Sequence, residues 1–269
     1  MSFYYIKYKR QKNGHCNICG KYSKLTWDHI PPKGCIELTE MELENVLHLF
    51  TRKQEDRRKF TISQNGIKFR TICQKCNNKL LGKKYDPIIN EFTISVGKYL
   101  QSTLILPKII FHKTKPIALI KGILGHLLAA RIPTYDGSFD VIARETILDE
   151  KKKIPNDIHV FYWIYPYAQV GIMRDFLMPS KRGDFSNFGF FQVLKYFPIG
   201  YLITDLPQYE KLDELTKFRQ LSIHDEVEIP IRLNRIEDPF WPEIVDRGNF
   251  LFIGQSLESA MTAIPRRKK

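Results

Sequence analysis

Residues 16–34 read CNICGKYSKLTWDHIPPKG. The stretch begins with two cysteines separated by two residues, and a second pair with the same spacing, CQKC, stands at residues 73–76. Two CxxC turns supply the tetrahedral set of four thiolates that zinc prefers in structural sites. We therefore predict a structural zinc ion. Its predicted ligands are Cys16, Cys19, Cys73 and Cys76.

Two other uses of paired cysteines fit this chain less well. A disulfide framework is typical of exported proteins, and residues 1–14 contain neither the apolar segment nor the small-residue cleavage site of a secretory signal. A thioredoxin-like redox site needs only one CxxC pair. Cys35 lies outside the pairs, and we expect it to be a small buried apolar residue, with a free thiol as the alternative.

The positive charge is concentrated in the first third of the chain. The formal net charge of the 269 residues is +13. Residues 1–90 contain 18 Lys and Arg against 8 Asp and Glu, whereas residues 91–269 contain 24 against 21. This asymmetry indicates a polyanionic partner, most often a nucleic acid, although a lysine-rich surface can also serve solubility alone. No apolar run is long enough for a membrane span, so we expect a cytoplasmic protein without a membrane partner.

The 53 residues between the two cysteine pairs exceed what a zinc ribbon needs. Lys24–Ile30 is a short β-prone run that ends in Asp28 and His29. The two prolines that follow cannot donate to a strand ladder and disfavour helix before them, so the chain must leave the sheet there. The insertion therefore places two side chains that can bind a metal ion or transfer a proton at the end of a strand.

Three further elements are predicted after this strand. Apolar spacing predicts a short helix over residues 38–50. The segment KFTISQNGIKFRTIC, residues 59–73, predicts a hairpin that turns at Asn65 and Gly66. A helix is expected to begin at the second cysteine pair and to end near Leu81. Zinc would then join the start of the first strand to the start of this helix.

This arrangement would bring Asp28 and His29 close to Asn77 or Asn78. Oxygen and imidazole ligands can hold Mg²⁺ or a softer divalent ion, which stabilises charge on a scissile phosphate. A histidine that is neutral near pH 7 can accept the proton of an attacking water. Basic residues nearby are candidates for binding the flanking phosphates. These candidates are Lys33, Arg70, Lys75, Lys79, Lys83 and Lys84.

The combination CNIC…DHIPPK…ICQKCNN resembles the HNH endonucleases, in the variant with four zinc-binding cysteines around a ββα-metal core. The resemblance covers Cys16–Pro87. It implies that the four cysteines bind structural zinc, that His29 is the general base and that Asp28 holds a catalytic Mg²⁺ or Mn²⁺ ion. Asn77 matches the second metal-ligand position of the family, with Asn78 as its alternative.

The roles of two residues, Asn65 and Asp86, are left open by the family pattern. The family has an Asn shortly before the second strand, whose carbonyl orients the base histidine, and the five residues before Cys73 contain no Asn. Asn65 is the nearest candidate, but an Asn-Gly pair is also what a tight hairpin turn requires. We expect Asp86 to end the helix at an Asp-Pro turn, and the alternative is that it is a further acidic ligand.

The chain is predicted to be α+β, with an HNH domain in residues 1–90 and a second α+β domain in residues 91–269. Pro116–Ile132 predicts a buried helix, on which we expect His126 to be a hydrogen-bonded core residue and not a ligand. Four β-prone runs between residues 158 and 206 predict an antiparallel sheet packed on that helix. The basic tail, residues 265–269, is predicted to be disordered.

These observations predict a metal-dependent endonuclease that cuts DNA, with RNA as an alternative substrate. Family association suggests a role in phage defence or in a mobile element. The alternative is a zinc-dependent nucleic-acid-binding module that has lost cleavage. A third interpretation treats the zinc unit as a scaffold for residues 91–269, which would bind a protein partner or mediate self-association.

Overall fold

The computed structural model describes residues 7–46, 60–134, 136–181, 184–209, 212–234, 236, 238–242, 253–254 and 260–266. It has the predicted α+β class, with helices beside mostly antiparallel sheets. Among the described residues, no helix has the length and apolar character needed to cross a membrane.

The cysteine pairs flank two strands of a three-stranded antiparallel sheet. The strand order is β1 (Asn13–His15), β2 (Tyr22–His29) and β5 (Lys68–Cys73). The first pair lies in the turn between β1 and β2, and the second lies where β5 passes into helix α1 (Lys75–Tyr85), which is a π-helix. The chain thus has the predicted order of cysteine turn, strand, excursion, strand, cysteine turn and helix.

The helix after the second cysteine pair is longer than predicted. It does not end near Leu81, because α1 passes directly into α2 (Asp86–Leu100). Asp86 is therefore the first residue of α2 and not a helix end, so the turn predicted there is wrong. Pro87 is compatible with this position, because the first turn of a helix contains N–H groups that have no acceptor within the helix.

The segment between β2 and β5 joins a different sheet. Strand β3 (Met41–Asn45) replaces the helix predicted over residues 38–50, of which residues 47–50 lie outside the described part. Its buried Met and Leu side chains are two residues apart, which is the period of a strand. One of its two partners is β14 (Ala260–Pro265), more than two hundred residues away, so the short-range pattern could not reveal this pairing.

The hairpin predicted over residues 59–73 is also wrong. Strand β4 (Thr61–Ser63) pairs with β3, whereas β5 pairs with β2, so the two strands lie in different sheets. The predicted turn between them is present. Asn65 and Gly66 have φ angles of 58° and 77°, in the left-handed region that Asn and Gly tolerate better than other residues.

The largest sheet is formed mostly by the C-terminal half of the chain. The four predicted β-prone runs are its central strands, and all their pairings are antiparallel. They are β7 (His159–Ile164), β8 (Val170–Lys181), β9 (Asp184–Tyr196) and β10 (Ile199–Thr204). With β11 (Asp213–Glu214), the order in the described part is β11-β7-β10-β9-β8-β14-β3-β4, and β13 (Ile253–Gly254) also pairs with β8.

Helix α3 (Pro116–Ala129) begins where predicted and is buried over its whole length. A Cβ atom at Gly125 would lie 2.5 Å from the side chains of both Leu81 and Ile147. Ile147 belongs to α4 (Ser138–Leu148), so α3 is packed closely between α1 and α4. A separate antiparallel pair consists of β6 (Ile109–Thr114) and β12 (Val227–Arg232).

The two predicted domains share buried structure. One continuous apolar cluster contains Leu25 of β2, Leu124 of α3 and Tyr201 of β10. The predicted boundary after residue 90 falls inside α2. The apolar core around α3 therefore packs against the segment that carries the cysteines.

The C-terminal tail is ordered further than predicted. Pro265 lies in β14, and the N–H of Arg266 donates to the backbone oxygen of Glu40 at 2.8 Å. The predicted disorder is therefore wrong at these two residues. Residues 267–269 lie outside the described part.

Candidate functional site

The four cysteines come together in one cluster. Cys73 ends β5, Cys76 is the second residue of α1, and the sulfur atoms of all four cysteines lie within 4.8 Å of one another. A tetrahedral zinc ion with Zn–S bonds of about 2.3 Å separates its sulfurs by about 3.8 Å. The Sγ atoms of Cys19 and Cys73 are 3.8 Å apart. The cluster can therefore hold one zinc ion.

Hydrogen bonds prepare this cluster for a cation. Gly20 has a φ of 71° and its N–H donates to the backbone oxygen of Cys16 at 2.8 Å. The N–H of Cys73 donates to Sγ of Cys16 at 3.2 Å. The hydrogen bond with Cys76 lowers the pKa of Cys16 to about 5 and raises the pKa of Cys76. Negative charge on the sulfur of Cys16 is thus stabilised by its neighbours, whereas burial raises the pKa of Cys19.

Cys35 lies apart from the cluster. Its thiol donates to the side-chain oxygen of Asn90 at 3.1 Å. Burial raises the pKa of Cys35 to about 12. Cys35 is therefore a partly buried, neutral thiol.

His29 is the last residue of β2 and is half-buried. Its Nε2 lies 3.0 Å from the backbone oxygen of Asn65. Because a carbonyl oxygen only accepts, Nε2 carries the hydrogen, and Nδ1 of the neutral ring then carries the lone pair. Burial lowers the pKa of His29, and the bond to Asn65 opposes this shift only in part. The ring is therefore neutral near pH 7.

Asn65 combines the two features between which the sequence left a choice. Its positive φ forms the turn, and its backbone oxygen contacts His29. The side chain matters for the conformation of the turn, since the contact itself uses an atom that every residue has.

Asp28 is only 4% exposed. Its Oδ2 lies 3.1 Å from Nδ1 of His126 on α3. An irregularity in the register between Thr26 and Trp27 allows Asp28 to be buried together with Leu25, although regular strand alternation would place them on opposite faces. Burial raises the pKa of Asp28, and His126 opposes this shift.

His126 lies between two acidic residues. The histidine is fully buried, and its Nε2 is 2.9 Å from Oδ1 of Asp86. Burial lowers the pKa of His126, but the carboxylates of Asp28 and Asp86 outweigh this effect and raise the pKa to about 10. The prediction of a hydrogen-bonded core residue is confirmed. Its partners, however, are two candidate site residues, which its own helix pattern could not show.

Asn77 lies against the strand that carries Asp28. Its Nδ2 donates to the backbone oxygen of Trp27 at 2.7 Å and to Oγ1 of Thr26 at 3.1 Å. The carbonyl acceptor fixes the orientation of the amide, which leaves Oδ1 as the free acceptor. Asn78 is exposed, and its side chain has no hydrogen bond to another described residue. The structure thus brings Asn77, and not Asn78, to the strand.

The six basic candidates differ in their availability. Lys84 forms an ion pair with Glu150 at 2.5 Å, and the guanidinium of Arg70 donates to the backbone oxygen of Arg10 at 2.6 Å. Four others are exposed and form no ion pair within the described part of the chain. These four are Lys33, Lys75, Lys79 and Lys83.

Trp27 is a candidate that sequence reasoning missed. It is 39% exposed although it lies in a strand. The Nζ of Lys68 and the Cζ of Arg70 lie 5.6 and 5.2 Å from its ring centroid, and the ring of Tyr8 is 6.0 Å away. Nucleobases commonly stack on exposed aromatic rings flanked by cations. Its position directly before Asp28 was the available signal.

Two side chains with oxygen donors lie near the end of β2. Asp28 and Asn77 offer oxygen atoms, the ligands that Mg²⁺ and Mn²⁺ prefer. The structure thus places Asp28, His29, Asn65 and Asn77 around one strand end, beside the cysteine cluster. Comparison with protein-family models, with curated proteins and with solved structures found no match to this chain.

Proposed function

We propose that the protein is a metal-dependent endonuclease of the HNH type that hydrolyses phosphodiester bonds in DNA. The observation that carries the proposal is the state of His29. It is a neutral histidine, held through Nε2 by the backbone oxygen of Asn65 and placed next to the acidic Asp28. The cysteine cluster joins the segments that bear Asp28 and Asn77, so it keeps the two oxygen donors close to this base.

In the proposed reaction, a water molecule attacks the phosphorus atom and one P–O ester bond breaks. His29 accepts a proton from the water at Nδ1, which requires the neutral ring. The leaving oxygen takes up a proton from solvent, so that the products are a phosphate monoester and a hydroxyl group. A divalent ion held by Asp28 and Asn77 would stabilise the negative charge on the phosphate.

The surface next to this site supports a polyanionic substrate. Four exposed lysines carry no ion pair among the described residues. Trp27 offers a stacking surface flanked by Lys68 and Arg70. Lysines without carboxylate partners can neutralise phosphates at little cost. Besides the effect of burial, Lys68 and Lys33 are close enough to His29 for their charge to lower its pKa.

A DNA-binding module without cleavage is the second candidate. It is favoured by one observation, the burial of Asp28 and the contact of its Oδ2 with His126. A carboxylate whose oxygen is already engaged has fewer free lone pairs for a metal ion. Such a module would bind DNA in a salt-dependent manner and give no cleavage products with any divalent ion.

The two candidates are separated by incubating zinc-loaded protein with supercoiled plasmid. The reactions contain Mg²⁺, Mn²⁺ or EDTA at low and moderate salt, and DNA binding is measured in parallel by fluorescence anisotropy. A nuclease gives nicked or linear plasmid with a divalent ion and none with EDTA. DNA binding without any product, by protein that contains one zinc ion per chain, would refute the nuclease and establish the binding module.

A further inference from the structure

The contact between α3 and the strand that carries Asp28 involves three ionisable side chains. His126 is fully buried, Asp28 is 5% exposed and Asp86 is 19% exposed at their side chains. The two carboxylates face opposite nitrogens of one imidazole, at 3.1 Å from Nδ1 and 2.9 Å from Nε2. Both contacts connect segments that are far apart in sequence.

This arrangement requires a cation at one of the two contacts. Ionised carboxylates only accept hydrogen bonds, and a neutral imidazole carries a single N–H. One nitrogen therefore presents a lone pair to a carboxylate unless a proton or a metal ion lies between them. In the metal-free protein this cation is a proton, because Asp28 and Asp86 raise the pKa of His126 to about 10. A metal ion bound at Nδ1 would displace that proton, and Asp28 on this side of the ring belongs to the strand that the proposed metal site uses.

The geometry at Nδ1 suits two ligands of one metal ion. Ligands about 2.1 Å from an ion and at a right angle to each other are about 3.0 Å apart. Nδ1 of His126 and Oδ2 of Asp28 are 3.1 Å apart. At the opposite nitrogen, Asp86 has the place of the carboxylate that usually accepts the remaining N–H of a metal-bound histidine.

We propose that His126 is a ligand of the divalent ion held by Asp28, and that Asp86 orients the ring. This inference rests on the proposed function and extends it, because the ligand comes from α3, outside the segment Cys16–Pro87 that carries the HNH resemblance. An imidazole ligand makes the site more favourable for transition-metal ions than for Mg²⁺. Mn²⁺ is therefore expected to bind more tightly than Mg²⁺.

The test measures Mn²⁺ binding to the zinc-loaded full-length protein by isothermal titration calorimetry. His126→Gln places an amide near Asp86 but removes Nδ1, and Asp86→Asn keeps an acceptor for the ring N–H. We expect His126→Gln to weaken Mn²⁺ binding more than 100-fold, and Asp86→Asn to weaken it about 10- to 100-fold. The matched control is His159→Gln, since His159 also contacts a carboxylate, that of Glu214 at 2.8 Å.

An electron spin-echo measurement on bound Mn²⁺ gives a second readout. Coupling to an imidazole nitrogen should be present in the wild type and in His29→Ala, and absent in His126→Gln. Wild-type Mn²⁺ affinity in both His126→Gln and Asp86→Asn, with zinc content unchanged, would overturn the inference and leave the nuclease proposal in place. If His126→Gln does not fold, wild-type affinity in Asp86→Asn alone overturns it. A wild type that binds no Mn²⁺ and cleaves no DNA would refute both proposals.

Discussion

Replacement of Cys73 by serine tests the cysteine cluster as a structural zinc site. Cys73 ends β5, and its Sγ lies 3.8 Å from that of Cys19, which the sequence separates by 53 residues. Serine supplies a short, hard oxygen donor that does not replace a thiolate at zinc. The variant should therefore lose the ion that joins β2, β5 and α1.

The expected loss of stability follows from mass action. An ion present at 100 to 1,000 times its dissociation constant stabilises the folded state by about 2.7 to 4.1 kcal/mol. Each kcal/mol shifts the melting temperature of a domain of this size class by about 2 to 4 °C. Cys73→Ser should consequently melt about 5 to 16 °C below the wild type, and a chelator should lower the melting temperature of the wild type by a similar amount.

The assay combines metal analysis with thermal unfolding followed by circular dichroism. Cys35→Ser is the matched control, because it removes a thiol outside the cluster and keeps a donor for Asn90. Wild type and control should each contain one zinc ion per chain. The reasoning is refuted if Cys73→Ser retains stoichiometric zinc, or if chelation leaves the melting temperature of the wild type unchanged.

Three other predictions concern the strand end and the basic surface. Since the neutral form of His29 is the active one and its pKa is lowered, cleavage should rise with pH, with its midpoint below the ordinary histidine value of about 6.5. An acid limb centred above pH 7 would contradict this assignment. Asn65→Gly keeps both the backbone carbonyl and the positive φ, so it should retain cleavage activity. Asn65→Val should lose activity, because a β-branched residue strains the turn at positive φ. Equal cleavage rates for the two variants would show that the turn does not position His29. Lys83→Ala should weaken DNA binding and reduce the slope of log affinity against log salt concentration by about 1. Lys84→Ala should weaken binding less, because Lys84 is paired with Glu150. Anisotropy titrations at several salt concentrations measure both effects, and a larger loss of affinity for Lys84→Ala would contradict this prediction.

The parts that the sequence predicted well are those fixed by short-range constraints. The CxxC spacing predicts the cysteine cluster that can hold zinc, because two thiolates of a tight turn can reach one ion. The strand end at Asp28 and His29 follows from the two prolines after it. The Asn65 turn follows from the tolerance of Asn and Gly for positive φ. The strands of the C-terminal sheet were also predicted, because their apolar runs are strongly alternating or continuous.

The parts that it missed depend on distant partners. Residues 41–45 pair with β14 across more than two hundred residues. They therefore form a strand, although their apolar pattern is also compatible with a helix. Asp86 and His126 are separated by 40 residues, and Asp28 and His126 by 98. A lone histidine on an apolar helix gives no signal of such partners. The exposure of Trp27 could not be predicted from strand periodicity, because the register of β2 is irregular at this residue.

The central claim is that His29 acts as the base of a metal-dependent nuclease. The most direct test is the initial rate of plasmid cleavage by His29→Ala relative to the wild type, in Mn²⁺ and in Mg²⁺, with zinc content and melting temperature measured on the same preparations. His224→Ala is the control, because His224 is 76% exposed at its side chain and far from β2 in sequence. We predict a loss of about 100- to 10,000-fold for His29→Ala and a wild-type rate for His224→Ala. Cleavage by His29→Ala at the wild-type rate, with its zinc and fold intact, would contradict the account.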